Sequence, residues 1–359
     1  MPLCSAATGA AIGDSANRSL CSSLRHHDSV MRVVGLEEHF VTGDVLNAWR
    51  GLDPRWQDLA VKPSEAGETG RRLAELGSER FAAMDQTGLD VQVLSLTTPG
   101  VQNLAPHDAK ALQTATNDLL ANTVRARPDR LQGFATLATP APAAAASELE
   151  RAVTKLGLNG AMLFGRTRER DIEHPDFWPI YEAAAALRAP LHLHPQSPPP
   201  TVRAAYYVGF DEFVDAAFTT HAIGWHYDTG VQLLRLILAG VFDRFPELQV
   251  IVGHWGEMVL YYLERIEHLD VTAGLKRPIA EYFRSNVHIT ASGMLSQRYL
   301  RWATEIVGVD RIMFSTDYPF EPASQRGGRR FLEEADLTET DRESIASSNW
   351  DRLCAGIKR

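Results

Sequence analysis

Six side chains of metal-binding or acid–base type sit where short apolar runs of this sequence end. Glu37 and His39 fall in LEEHF, His192 and His194 in PLHLH, His254 closes QVIVGH and Asp317 closes IMFSTD. Singly, each has a bland explanation. A histidine at the end of a strand is more often a hydrogen-bonded structural residue, and an aspartate before Tyr-Pro can simply cap a turn. Four run ends carrying such groups together point instead to one shared site. Glu37 and His39 are two apart, so on an extended strand both face one side while Glu38 faces the other. His192 and His194 obey the same rule, one lying deeper than the other. Glu37, His39, His194 and Asp317 then make a mixed nitrogen and oxygen set suited to a divalent ion such as Zn²⁺ or Mn²⁺. The two carboxylates offset the charge of the ion. An anionic substrate therefore needs a further positive group, which His254 or Arg265 could supply.

The elements that must position these groups are legible from periodicity. Short, continuously apolar runs occur at 33–37, 91–96, 131–137, 160–164, 190–194, 249–254, 287–291 and 312–317. Continuous rather than alternating apolarity suits parallel strands covered on both faces. Helical patterns fill the gaps, clearest at 71–87, 109–126, 141–156, 177–187, 231–242, 258–269 and 297–307. Regular strand–helix alternation with eight strands predicts an α/β fold of the (β/α)₈ TIM-barrel type. The alternative, a doubly wound open sheet, lacks support because no G-x-G-x-x-G follows the first strand. In a barrel, catalytic groups come from the C-terminal ends of several strands, where these residues lie. The Pro-rich run 196–201 (QSPPPT) opens a long connection after the fifth strand, expected to be an active-site loop.

Bulk properties narrow the class. The chain has 359 residues, long for an average domain but ordinary for one barrel. A net charge of −9 and the lack of any Lys/Arg-rich run argue against a nucleic-acid partner. No apolar run reaches the roughly 18 residues of a membrane span. Three scattered cysteines, Cys4, Cys21 and Cys354, suit neither a disulfide framework nor a thiolate site, and a cytoplasmic setting is expected. Residues 1–30 are rich in Ala and Ser without apolar periodicity. They are expected to be a disordered extension, with 31–359 forming one barrel domain.

The chain resembles the amidohydrolase-related branch that holds γ-resorcylate, 2,3-dihydroxybenzoate, salicylate, 5-carboxyvanillate and aminocarboxymuconate-semialdehyde decarboxylases. Matching segments are LEEHF, VQVLSLTTPGVQ, FWPIYEAAAALRAPLHLHP, LRLILAGVFDRFPELQVIVGHWGE and MFSTDYPFE, spread over the chain from Met31. The resemblance implies that Glu37 and His39 are the E-x-H metal pair and His194 the strand-five ligand. It makes Asp317 the metal-bound aspartate, His254 the catalytic histidine and Glu257 its buttress. Arg265 falls where those enzymes carry a substrate-binding arginine, by a looser match. It could equally be an exposed helical ion pair. His192 departs from the aromatic residue common at its position.

Binuclear hydrolases of the superfamily use H-x-H on strand one and a carboxylated lysine after strand four. Here Glu37 replaces the first histidine, and GAMLFGRTRER offers Arg166 but no lysine. One metal ion is therefore expected, and the resemblance implies non-oxidative decarboxylation of a small hydroxylated aromatic acid; a homo-oligomer (dimer or tetramer) is expected. Asp317 is the expected proton donor, assisted by His254. Metal-dependent hydrolysis of a lactone or amide is the alternative.

Overall fold

The eight runs expected to be strands each contribute extended backbone to one closed ring. The computed structural model describes residues 31–321 and 327–359, so the expectation for residues 1–30 lies outside the described residues. The strands are β1 (Val34–Phe40), β2 (Val91–Leu96), β3 in two segments (Leu131–Gly133 and Ala135–Thr136), β4 (Ala161–Phe164), β5 (Leu191–His194), β6 (Val250–Val252), β7 (Val287–Thr290) and β8 (Ile312–Met313). Every ladder among them is parallel. The first segment of β3 pairs with β2 and the second with β4. Closure comes from the chain after β8: Leu36 N–H donates to the Phe314 carbonyl (3.0 Å) and His39 N–H to the Tyr318 carbonyl (2.8 Å). The ring order is thus the chain order, as a right-handed (β/α)₈ barrel requires.

The barrel interior is packed rather than hollow. Val34, Leu36, Val91, Val93, Phe134, Met162, Phe164, Ile251 and Met313 form one buried cluster, joined by Trp350 of the C-terminal helix Asn349–Ala355. A ladder of β-branched and large apolar side chains gives these strands a rigid frame for the polar groups above them. Among the described residues, no helix is long and apolar enough to cross a membrane.

Three expected helices are reshaped, each for a local reason. The pattern at 71–87 is two helices, Gly67–Ala74 and Ser78–Thr87. They break where the Glu75 carboxylate turns back to accept from the backbone N–H of Gly77 (2.6 Å) and Arg80 (2.8 Å). The pattern at 231–242 begins earlier, as Gly224–Leu238, and is interrupted at Gly240, whose φ of 71° is left-handed. The pattern at 258–269 is a string of short turns, Val259–Tyr262, Leu263–Ile266 and Glu267–Leu269. It follows His254, Trp255, Glu257 and Met258, all with positive φ, a conformation that cannot lead smoothly into a right-handed helix. The connection after β5 carries helices of its own, Pro200–Tyr206 and Glu212–Ala217.

Candidate metal and catalytic site

β1 delivers two of the four ligand-type groups. Its register against β2 shifts between Gly35 and Glu38, yet Glu37 and His39 still share one side. Glu38 turns away and clamps the chain after β8, accepting from Thr316 N–H (2.9 Å), Thr316 Oγ1 (2.7 Å) and Gln92 Nε2 (3.1 Å). Burial pushes its carboxyl up to about 8. The same clamp brings Asp317 over β1. One ligand atom from each of Glu37, His39, His194 and Asp317 lies within 4.8 Å of the other three, and all four residues are buried. His194 Nε2 stands 3.2 Å from Glu37 Oε1, and His39 Nε2 stands 3.3 Å from Asp317 Oδ1.

These contacts are close but do not satisfy the atoms that make them. Glu37 Oε1 and His39 Nε2 are fully buried without a hydrogen-bond partner, a costly state for a carboxylate and an imidazole unless a further group engages them. The surroundings fix both rings for a ligand role. His194 Nδ1–H donates to the Pro195 carbonyl (2.9 Å), and His39 Nδ1 pairs with the Ser95 hydroxyl (3.1 Å), so each Nε2 faces the cluster. Burial alone would raise Glu37, but its contacts with His192 and His194 outweigh that and hold it well below the usual carboxylate range. Asp317 is likewise held low, by His254 and His39 against burial. Two ionised carboxylates and two imidazoles facing one point fit a divalent cation.

Beside this set stands a second constellation. His254 Nδ1 meets Glu257 Oε1 at 2.7 Å, and its Nε2 lies 3.9 Å from Asp317 Oδ2. Burial opposes charge on His254, but the Glu257 and Asp317 carboxylates outweigh it and raise it well above an ordinary histidine, favouring the protonated ring. Glu257 is correspondingly held down at about 2, its burial outweighed by His254 and His226. The other Glu257 oxygen meets His226 Nδ1 at 2.9 Å. Of the eight non-glycine residues with positive φ among the described residues, six are His254, Trp255, Glu257, Met258, Ser292 and Asp317. Backbone strain is thus concentrated where the polar groups converge, as at functional sites generally. Gly253 shows how tightly the base of the site is built: a Cβ there would lie 2.5 Å from Ser292 Oγ and 2.9 Å from Glu37 Oε2.

A cavity of about 580 Å³ opens above these groups, within the usual range for a small-molecule site. His194, His254 and Asp317 form its floor, with Leu59, Trp225, Met294 and Phe320 among its walls. Arg265 is not brought there. It is exposed and lines a separate groove with Tyr261, Tyr262 and Trp302, because the chain between Glu257 and Arg265 turns repeatedly instead of running as the expected helix. Among the described residues, the group at the cavity that favours positive charge is His254. His192 lies two residues before His194 on β5, fully buried, its Nε2 3.5 Å from Glu37 Oε2 and its ring edge-on to Phe134. Arg166 turns away, donating to the carbonyls of Arg168 (2.6 Å) and Ser197 (2.7 Å). Sequence reasoning missed His226, Ser292 and Ser95. His226 lies in the long connection after β5, where no periodicity marks it, whereas Ser95 could have been found as the β2 residue in register with His39.

A parallel barrel with a mixed carboxylate–imidazole cluster at the mouth defines a metal-dependent enzyme of the amidohydrolase type. The amidohydrolase family model matches residues 38–353, and the chain belongs to that family. It is 34% identical over 336 residues to γ-resorcylate decarboxylase from Polaromonas sp., an alignment covering 89% of this chain and 97% of that one. Among solved structures, 5-carboxyvanillate decarboxylase from Sphingomonas paucimobilis is 32% identical with a TM-score of 0.83, covering 91% of this chain and all of that one. Dihydroxybenzoic acid decarboxylase from Polaromonas sp., solved with manganese and the inhibitor 2-nitroresorcinol, is 33% identical with a TM-score of 0.79. That match covers 90% of this chain and 97% of the other.

Proposed function

We propose that this chain decarboxylates a small hydroxylated aromatic acid, a dihydroxybenzoate or close relative, by placing a proton on the ring carbon that bears the carboxylate. The observation that carries this reading is the position of Asp317, which faces His39 of the ligand set on one side and the Glu257-held His254 on the other. Held by Glu37, His39, His194 and Asp317, a divalent ion would anchor the anionic substrate and stabilise charge developing on its phenolic oxygen. Manganese in a dihydroxybenzoic acid decarboxylase of this fold supports Mn²⁺ over Zn²⁺.

The remaining chemistry falls to the side chains. His254 stores the proton at rest, because Glu257 keeps it charged. Asp317 is ionised at rest, so it takes that proton from His254 Nε2 and presents it to the ring. A C–H bond forms at the carboxylated carbon. The bond to the carboxylate then breaks, CO₂ leaves, and its electron pair restores aromaticity. Protonation first avoids a bare aryl anion. The apolar walls formed by Leu59, Trp225 and Phe320 lower the polarity around these groups, which strengthens each electrostatic contact. Hydrolysis by a paired-metal route finds no lysine after β4, and Arg166 is committed to backbone carbonyls. The exposed Tyr206, Phe210 and Phe213 support assembly as a homo-oligomer.

The test is metal analysis of the purified protein paired with a screen of hydroxybenzoates for CO₂ release. Metal-loaded protein that releases no CO₂ from any of them, yet hydrolyses lactones or amides, overturns the proposal.

A further inference from the structure

A second cavity, of about 260 Å³, lies at the opposite end of the barrel from the candidate site. Its lining comes from residues that open strands or precede them: Arg188 before β5, Gln249 before β6, His288 in β7 and Arg311 before β8. Asn349 and Arg352 of the C-terminal helix complete it. Three guanidinium groups therefore meet two rim carboxylates, Glu247 and Asp310, and Arg188 is already paired with Glu247 at 2.9 Å. Arg311 anchors itself through Nε to the Val287 carbonyl (3.0 Å) and through Nη2 to Gln249 Oε1 (3.0 Å). Those bonds use only part of its five-donor fork. Arg352 is steadied by Asn349 Oδ1.

His288 makes this more than a charged rim. It is 5% exposed, and its Nδ1 is buried with no hydrogen-bond partner among the described residues. Burial, reinforced by Arg311 and Arg352, holds its pKa well below that of an ordinary histidine, so the ring is neutral. Nε2, the ring nitrogen that is not closed off, can donate to an acceptor in the cavity, and the remaining guanidinium N–H groups of Arg311 and Arg352 can donate to the same acceptor.

We propose that this cavity binds a compact oxyanion of the phosphate class between His288, Arg311 and Arg352. The volume suits inorganic phosphate or the phosphate group of a small monoester, whose remainder would extend past Glu247 and Asp310. None of these residues reaches the catalytic cavity, so turnover does not depend on occupancy, and the site offers a place for an anion to set stability from the far end of the barrel.

The experiment is calorimetric titration of the metal-loaded enzyme with inorganic phosphate, with ionic strength held constant by sodium chloride. A saturating hydroxybenzoate is present so that the catalytic metal cannot take the anion. Glycerol phosphate in a parallel arm separates the two sources. Wild type should bind one phosphate per chain and melt a few degrees higher when it is saturated. Arg352→Gln and His288→Gln should each weaken binding about tenfold or more, and Arg352→Gln should keep wild-type turnover. Tighter binding of the monoester would assign the site to an ester rather than to the free ion. No saturable binding of either anion, or equal affinity in folded Arg352→Gln, overturns the proposal. Should His288→Gln fail to fold, Arg352→Gln decides alone.

Discussion

Replacing Asp317 with asparagine separates the two jobs assigned to this residue. The wild-type carboxylate lies 3.3 Å from His39 and 3.9 Å from His254. Asparagine fills nearly the same volume, and its amide oxygen can still face the ligand cluster. It cannot accept a proton from His254 and hand it on, and it removes one negative charge from a buried set. A positioned general acid contributes roughly 10²–10⁴ in rate. Weaker charge balance in a water-poor pocket adds on the order of tenfold. Taking the middle of that range together with the tenfold, the variant should lose about four decades of decarboxylation, or about 5.5 kcal/mol of transition-state stabilisation. The assay is CO₂ release per bound metal, with metal measured in the same sample and folding checked by circular dichroism. A variant that keeps its metal and turns over within tenfold of wild type per occupied site would refute the assignment of Asp317 as donor.

His194→Ala should lose the metal, read by elemental analysis, whereas His192→Gln should keep close to one ion per chain, because only His194 belongs to the set that includes Asp317. Gly253→Ala should leave the fold intact, since φ at Gly253 is −76°, but should weaken metal affinity about tenfold or more by pressing on Ser292 and Glu37. Metal titration against a chelator checks it. Glu257 has a folded-state pKa of about 2 against an ordinary 4.5, so its stabilisation is present above pH 4.5 and is lost as pH falls towards 2. That difference corresponds to about 3 kcal/mol. Denaturant unfolding of Glu257→Gln should accordingly show a shallower fall in stability between pH 4.5 and 2, and an unchanged slope would count against the ion pair.

Much of this site could be read from the chain because a β-strand has period two and a barrel gathers its strand ends. Those two facts place Glu37 beside His39, point His192 and His194 the same way, and bring His254 and Asp317 to the same mouth. What periodicity misses lies where the backbone abandons regular geometry. The left-handed residues after β6 break the expected helix, so the position of Arg265 eight residues beyond Glu257 says nothing about where its side chain goes. His226 reaches Glu257 from a connection whose path depends on tertiary packing. The clamp of Glu38 on Thr316 is a contact between residues 278 apart, invisible to any local pattern.

The central claim is that this enzyme releases CO₂ from a hydroxybenzoate and sets a solvent-derived proton on the ring carbon that carried it. Turnover of 2,6-dihydroxybenzoate by metal-loaded enzyme in D₂O tests it directly. The product should carry one deuterium at the vacated carbon, with CO₂ released in equal amount and no such label in an enzyme-free control. A catalytically active enzyme that releases no CO₂ from this or related hydroxybenzoates, giving only hydrolysed lactones or amides, would contradict it.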